Sequence, residues 1–468
     1  MKAFFAIAAL SWKQAIRSRF FLVLLVLTLL WSLSIPLAIA ETNAADFLRV
    51  LLLYSLSGIT FLLGSAAIWL GCFAMTSDLE NGQINLTVTK PVSRTALYTA
   101  KWLGVFSLTL TLMAIASTAV YLLLMYRFNN SGFDAEQKEK IREEVLTARK
   151  VYLPKRADYN TRAKEILEKK LSAVSTRSNF DLNELHHEAV KEAVAEDSKS
   201  LYKQPKIWVW ENLPADRKEK FSLRYRLYVN QISKDNQRKT KIFWQVGVPQ
   251  LTSNETSGRP VVEKSGNYQI YFYPLTEMPE EILSGVFTEK KLPSNWHGIA
   301  PDGKVFMAMV NFDDQKSDQY IQPGDGPALL LKAATFPENF IRSVLVSAIA
   351  LAVLSALGCT LGAICSMPTA VFIACSYLAA GTIASLMIGN GPLANTGEAG
   401  QFMAKAVLTA VIPLQEFDTT SLLAGGELIE WKLVWKVFFN FFICRTLPLA
   451  VIGIWIYRRR ELGMAVKR

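Results

Sequence analysis

Long apolar segments near both ends of the chain, separated by a polar middle, constrain the fold more than any other feature. A helix that crosses a membrane needs about 20 mostly apolar residues. Each apolar segment of that length here is bounded by charge, proline or a polar turn. Six segments qualify: 20–40, 51–75, 102–126, 344–364, 369–388 and 434–457. The pattern predicts an α-helical bundle of six transmembrane helices in two clusters of three.

The first segment admits two readings, because Ala-Ile-Ala at 38–40 resembles the cleavage site of a signal peptide. Its long apolar run, and the second segment that follows almost at once, favour a retained span. The preceding residues 1–19 alternate apolar side chains with basic ones. They predict an amphipathic helix on the membrane surface or, alternatively, a plain basic flank.

Basic residues indicate which side of the membrane each loop occupies, since short cytoplasmic loops are enriched in Lys and Arg. They gather at residues 1–19, in the loop 76–101 and in the tail 458–468. An even number of spans places all three on one side. Both termini are therefore predicted to be cytoplasmic and residues 127–341 extracytoplasmic. The net charge of +11 fits a membrane surface, and no nucleic-acid partner is expected.

The polar middle, residues 127–341, changes pattern along its length. Residues 134–200 are rich in Glu, Lys and Ala, with a break at Pro154, and predict two or three amphipathic helices. Alternating apolar residues then predict strands, separated by turn signals. The strand segments are 221–229, 242–248, 268–273 and 305–312. We predict an inserted α+β domain: helices at 134–200, then a β-sandwich or jelly roll at 221–333, between membrane halves 1–126 and 342–468.

No catalytic or metal-binding constellation is recognisable in the sequence. All 5 cysteines fall in apolar segments, which excludes a disulfide framework in the middle domain. His187 and Glu188 begin a zinc-protease pattern, but Lys191 stands where its second histidine is needed. Trp208 and Trp244 suit core packing, or else a sugar- or peptide-binding surface. We expect no cofactor, no metal and no catalytic residue, and a chain that is not an enzyme.

Two features inside the predicted spans carry further expectations. Arg445 lies in the sixth span, where burying a cation in lipid costs at least roughly 2.5–3.5 kcal/mol. It is expected to bind an anionic substrate group, to approach Glu416 or Asp418, to meet backbone carbonyls, or to be structural. Gly358 and Gly362 form a GxxxG pattern that permits close helix approach. Residues 397–412 predict a re-entrant or interfacial external segment.

The loop between the second and third spans is the most specific segment. It carries acidic Asp78 and Glu80, turns at Gly82, and reaches a Lys-Pro-Val-Ser-Arg element at 90–94 before Lys101. These elements, in this order, resemble those of the ABC-2 type transporter permease family. The Arg-Arg-Glu-Leu tail at 459–462 and the loop 413–418, followed by two glycines, are similar to that family as well. Typical members have only a short loop where this chain has residues 127–341.

The resemblance implies the permease subunit of an ATP-binding-cassette transporter in a bacterial cell (inner) membrane. Its partners would be a cytoplasmic ABC ATPase, a second permease of the same or another kind, and membrane lipid. ATP hydrolysis would lie in the ATPase, because this chain has no P-loop. The residues of the implied ATPase-coupling loop are Asp78, Glu80, Gly82, Lys90, Pro91, Arg94 and Lys101.

Other readings of the same residues remain. The loop charges would, on a plainer view, anchor the loop at the level of the lipid headgroups. The large middle domain makes a mechanotransmitter or sensor, which moves that domain without transport, the main alternative to a transporter of an unidentified substrate. A membrane-bound enzyme with an external active site is disfavoured, because the sequence lacks a catalytic constellation.

Overall fold

Helices of membrane length dominate one part of the chain and short strands the other. The computed structural model describes residues 2–17, 19–38, 44–80, 93–130, 132–155, 158–173, 182–213, 221–229, 238–251, 263–265, 268–292, 303–389, 402 and 411–459. The chain divides into two compact units. We call Met1–Ala148 with Ala334–Arg468 the membrane unit, and Arg149–Ala333 the β unit.

Twelve helices are named here in chain order. They are α1 (Lys2–Arg17), α2 (Phe20–Ala38), α3 (Ala44–Glu80), α4 (Arg94–Asn130), α5 (Ala135–Glu144), α6 (Tyr159–Ala173), α7 (Leu182–Ser198), α8 (Phe336–Ile364), α9 (Met367–Gly389), α10 (Thr420–Ala424), α11 (Trp431–Val437) and α12 (Leu447–Arg459). A 3-10 turn covers Leu414–Phe417, and a π-helical stretch, Phe438–Thr446, joins α11 to α12.

Within the described residues, 5 helices are long and apolar enough to cross a membrane: α3, α4, α8, α9 and the continuous stretch Trp431–Arg459. They occupy the positions predicted for the second to sixth spans, as expected of a multi-pass membrane protein. A bend of 67° separates α1 from α2. The two are long and apolar enough to cross a membrane only if they are counted together as one broken span. The separate first span at 20–40 therefore stays a prediction.

Helix α8 forms the centre of the membrane unit. Of its most apolar window, 78% is buried, against 22% for α9. Glycines bring α8 against α3: a Cβ built on Gly358 would lie 2.4 Å from the Ile68 carbonyl oxygen, and one on Gly362 would lie 2.7 Å from that of Cys72. The GxxxG pattern thus lies at an α3–α8 contact where only hydrogen fits.

Tryptophans on the outer surface of the last span support its placement in a membrane. Trp435 and Trp455 are both about half exposed. They are separated by 20 residues of helix, 9 of them in the π-helical stretch, or somewhat under about 30 Å, close to the hydrocarbon thickness of a bilayer. Tryptophan favours the two membrane–water interfaces, so this spacing suits a spanning helix.

The β unit is built from short strands in three sheets. The strands are β1 (Thr147–Tyr152), β2 (Lys199–Ser200), β3 (Pro205–Trp210), β4 (Phe221–Arg226), β5 (Tyr228–Val229), β6 (Lys239–Leu251), β7 (Glu263–Ser265), β8 (Tyr268–Pro274), β9 (Glu280–Leu283), β10 (Phe287–Lys291), β11 (Val305–Asn311), β12 (Gln319–Tyr320) and β13 (Ala328–Thr335). The sheet orders are β1-β13-β4-β10, β3-β11-β6-β8-β7 with β9 paired to β6, and β2-β12-β5.

One apolar core joins the two larger sheets. Leu223 and Tyr225 of β4 pack in the same cluster as Trp244 of β6 and Met307 of β11. Trp244 is 1% exposed, which favours its predicted role in the core over one in an exposed binding surface. All four segments predicted as strands are strands, and the region is rich in β-sheet; the jelly-roll topology stays a prediction.

The prediction for residues 134–200 was incomplete. Three helices are present, α5, α6 and α7, but β1 lies between α5 and α6, and the segment ends in β2 (Lys199–Ser200). The charged sequence Thr-Ala-Arg-Lys-Val-Tyr hid β1, because Arg149 is buried and paired with Glu289 of β10 instead of pointing to solvent. A buried ion pair removes the alternation of polar and apolar residues by which a strand is recognised.

A polar network in the β unit surrounds the carboxylate of Asp313, which is 2% exposed. It accepts hydrogen bonds from the Arg238 guanidinium at 2.7 Å and the Thr240 hydroxyl at 2.8 Å. The N–H of Ser317 donates at 3.0 Å. Burial raises the pKa of Asp313, but the bonds from Ser317 and Thr240 and the charge of Arg238 outweigh it, so the net pKa lies below its usual value.

Replacing Asp313 by asparagine is expected to destabilise the protein in a pH-dependent way. At pH 7 the loss should be roughly 3 kcal/mol, the lower end of the range for a buried pair, because the Arg238 charge, which is only 12% exposed, loses its partner. A carboxyl whose folded pKa is depressed contributes stability that is complete above its unfolded pKa of about 3.9 and is lost as the pH falls through the folded pKa. Thermal unfolding of wild type and of Asp313→Asn should be measured from pH 7 to pH 3. The difference in stability between the two proteins should become smaller below about pH 4.

The matched control is Asp314→Asn, because the Asp314 side chain is 73% exposed and pairs with Lys241 at the surface. That change should leave the midpoint of thermal unfolding nearly unchanged, because solvent screens the exposed pair. If the difference in stability between wild type and Asp313→Asn stays constant down to pH 3, the pKa of Asp313 is not lowered in the folded protein.

Candidate functional site

The structure places the predicted coupling residues unevenly. Gly82, Lys90 and Pro91 lie outside the described residues. Asp78 and Glu80 belong to the last turn of α3, although their side chains are not described. Arg94 begins α4, and Lys101 lies two turns further along the same helix. The contacts of these last two residues therefore define the geometry at the two ends of the loop.

Lys101 is buried, with 5% of its surface exposed. Its ammonium donates a hydrogen bond to the carbonyl oxygen of Ala74 in α3, at 2.5 Å. A lysine with so little exposure offers no charge to a partner protein. Lys101 instead hydrogen-bonds α4 to α3, the two helices that the loop connects.

Arg94 also makes an internal contact. Its guanidinium donates to the carbonyl oxygen of Arg458 at 2.6 Å, in the last turn of α12. The carbonyls of a last helical turn lack partners within the helix and carry partial negative charge, so a guanidinium is favourable there. Arg94 thus connects the start of α4 with the end of α12, beside Ser93, whose hydroxyl accepts the N–H of Ala96.

A buried contact one turn inside α4 joins a third helix to this end of the membrane unit. The Tyr98 hydroxyl is hydrogen-bonded to the Thr360 hydroxyl of α8 at 2.8 Å. Thr360 also donates to the carbonyl of Leu449 in α12, at 3.3 Å. A Cβ on Gly453 of α12 would lie 2.7 Å from the Tyr98 oxygen, so a larger residue there would displace the Tyr98 side chain. We call Arg94, Tyr98, Thr360, Arg458 and Gly453 the junction cluster.

Sequence reasoning missed Tyr98, Thr360 and Gly453. Tyr98 follows Arg94 by four residues and precedes Lys101 by three, so all three share one helix face. That spacing was a usable signal, because it marks the buried face of α4. No sequence signal marks Thr360 or Gly453. A single threonine or glycine in an apolar helix is common, and only the tertiary fold shows what it contacts.

Arg445 lies in the π-helical stretch Phe438–Thr446. Its guanidinium donates to the carbonyl of Val411 and lies 4.5 Å from the centre of the Phe441 ring. Of the alternatives raised above, the backbone-carbonyl contact is therefore present. Most of the predicted segment 397–412 is outside the described residues, so its re-entrant character stays a prediction, as does a role of Arg445 in substrate binding.

An apolar groove of about 970 Å³ lies among α2, α3, α8 and α9. At one end Phe20 stacks on Trp69, with ring centres 4.6 Å apart. At the other end, residues 414–420 approach the groove, and the Gln415 side chain donates to the Thr382 carbonyl at 3.5 Å. The groove is open on one side, so it can accept an apolar molecule from the plane of the bilayer.

Comparisons of the chain with models of known protein families, with curated proteins and with solved structures find no match. In the part of the chain that the structure describes, no group of three or more His, Cys, Asp and Glu residues could hold a metal ion. The site is therefore interpreted from its own geometry: a polar junction at one end of the membrane unit and a side-opening apolar groove within it.

Proposed function

We propose that this chain is the permease subunit of an ATP-binding-cassette transporter of the ABC-2 type, in a bacterial inner membrane, with six spans and an extracytoplasmic β-sandwich. The observation that carries the proposal is the junction cluster. Arg94 and Tyr98 lie directly after the loop 81–92 and contact α12 and α8. A force on that loop would therefore reach three of the membrane helices at once.

In this proposal a cytoplasmic ABC ATPase binds the loop, and a second permease subunit, identical or different, completes the transporter. Asp78 and Glu80 supply negative charge to the ATPase, with Gly82, Lys90 and Pro91 shaping the loop between them and α4. Complementary charge of this kind sets the register of a polar interface. Arg94 and Lys101 act internally: they hold α4 to α12 and to α3, so that movement of the loop is transmitted and not absorbed.

The proposal predicts that reversing both loop charges, Asp78→Lys with Glu80→Lys, abolishes association with the ATPase. Each lost charge pair in a polar interface typically costs about 1–3 kcal/mol, so recovery of the ATPase should fall by roughly tenfold or more. The measurement is the amount of ATPase that co-purifies with the tagged full-length chain from its native membrane in mild detergent.

The control is Glu136→Lys with Glu139→Lys, an equal change of charge on exposed positions of α5. This pair lies beyond the other end of α4 and should leave co-purification unchanged. If no ATPase is recovered with the wild-type chain, or if the loop variant retains it, the permease proposal fails.

A second candidate function is mechanotransmission, in which the ATPase moves the β unit and nothing crosses the bilayer. One observation favours it: β13 ends at Thr335 and α8, the central membrane helix, begins at Phe336, with no linker residue between them. A strand that passes directly into a helix can transmit a displacement along the backbone. The two functions differ in one measurement, which is ATP-dependent flux in vesicles that contain the whole complex.

A further inference from the structure

The groove described above has one charged residue among its described lining residues, and that residue is at one end. Asp418 lines the groove beside Phe417 and Thr420. Its carboxylate accepts hydrogen bonds from the N–H and the hydroxyl of Thr420, at 3.0 and 2.5 Å. The carboxylate is therefore held in place at the end opposite the stacked Phe20 and Trp69.

The length of the groove suits an extended chain. Its lining on α3 runs from Ser57 to Trp69, and its lining on α9 runs from Val371 to Ile383. Twelve helical residues span about 18 Å, more than half of the roughly 30 Å hydrocarbon core of a bilayer. A hydrocarbon chain of that length, lying along the helices, would fill the groove from the aromatic pair to the carboxylate.

The hydroxyls in the groove do not require a polar ligand. Ser57 donates to the Leu53 carbonyl, Ser65 to that of Phe61 and Thr382 to that of Leu378, each within its own helix. A hydroxyl that is satisfied by its own helix presents mainly its aliphatic carbon to a neighbour. Thr60 and Ser347, also in the lining, are hydrogen-bonded to each other. Among the described lining residues the wall is thus effectively apolar, and Asp418 is the one formal charge.

We propose that the groove binds a single-chain amphiphile with a basic head group. The chain lies between α3 and α9, and the cationic head lies at Asp418. Glu416, two residues before Asp418 and exposed, is also negatively charged and interacts electrostatically with Arg445, which is not among the described lining of the groove. An anionic head would meet like charge at this end. That the groove binds this amphiphile does not depend on the proposed permease function. That the amphiphile is the transported compound does rest on it.

The test is photo-crosslinking of the full-length chain in lipid nanodiscs. The probe is a long-chain primary amine with a diazirine in its chain, and the comparison probe is the fatty acid of the same length. The amine should label peptides from 57–69 and 371–383 about fivefold more than the acid does, as expected for one partly exposed charge contact. Asp418→Asn should bring the two probes to equal labelling.

Position is tested by a matched pair on α9. Ala379 lines the groove, and its exposed neighbour Ala380 does not. Ala379→Phe should remove most of the amine labelling, and Ala380→Phe should keep it. Equal labelling by amine and acid in the wild type, or labelling that Ala379→Phe does not reduce, would overturn the proposal. Neither labelling result depends on the ATPase. A failure of the groove proposal therefore does not contradict the permease proposal, and a failure to bind the ATPase does not contradict the groove proposal.

Discussion

Replacing Gly358 with valine is expected to prevent α3 and α8 from packing closely, and so to destabilise the membrane unit. The added Cβ would lie 2.4 Å from the Ile68 carbonyl oxygen and 3.1 Å from two further backbone atoms of that residue. Backbone atoms of a helix cannot rotate away as a side chain can, so the helices must separate along their contact. We expect a loss of about 3 kcal/mol, the upper end of the usual range for overpacking.

The measurement is the fraction of protein that remains monodisperse in size-exclusion chromatography after heating in detergent. The midpoint should fall by roughly 5 °C or more. Gly132→Val is the control, because nothing lies within 4 Å of a Cβ at that position. A Gly358→Val midpoint equal to that of the control would mean that α3 and α8 do not approach as closely as described.

Replacing Asn339 with leucine is expected to release the segment 427–429 from the start of α8. Asn339 is fully buried; its amide donates to the Glu427 carbonyl at 2.7 Å and accepts the Ile429 N–H at 2.8 Å. Leucine has a similar size but satisfies neither backbone group, and each buried group left without a partner costs about 1–3 kcal/mol. The two groups together should cost about 2–6 kcal/mol, which the same heating assay should register as a lower midpoint.

The control is Asn130→Leu, an exposed asparagine at the end of α4 that should change little. Asn339→Asp provides a second comparison, because it keeps the acceptor for the Ile429 N–H but places a buried carboxylate oxygen against the Glu427 carbonyl. Wild type should therefore be more stable than either Asn339 variant. An Asn339→Leu protein as stable as wild type would show that these two bonds do not hold the segment.

Apolar length and alternation are local properties, and the sequence predicted well what depends on them. Five membrane-length helices lie where runs of about 20 apolar residues were found. The four apolar segments of the middle domain are strands; β4 repeats every two residues because it is half-buried, whereas β11 is buried along its whole length. Strand β1 escaped prediction because its buried Arg149 depends on Glu289, 140 residues later in the chain.

The junction cluster illustrates the opposite case. The sequence marked Arg94 and Lys101 as charges of a loop, and a charge next to a membrane is ordinarily expected at the surface. The fold instead buries Lys101 against the carbonyl of Ala74, and at the surface it places Arg94 on the carbonyl of Arg458. Carbonyl oxygens carry no signature in the sequence, since every residue has one, and so the acceptors could not be foreseen.

The sequence by itself determined that the chain has apolar segments of membrane length around a polar middle that is partly β-sheet. The length of an apolar run and the period of apolar residues are both properties of consecutive residues. Only the tertiary structure decided which faces of those helices meet. It set the glycines of α8 against the backbone of α3, joined Tyr98 to Thr360, and placed Asp418 at one end of an apolar groove. Each of these depends on residues far apart in the chain, whose proximity is fixed by packing and not by local pattern.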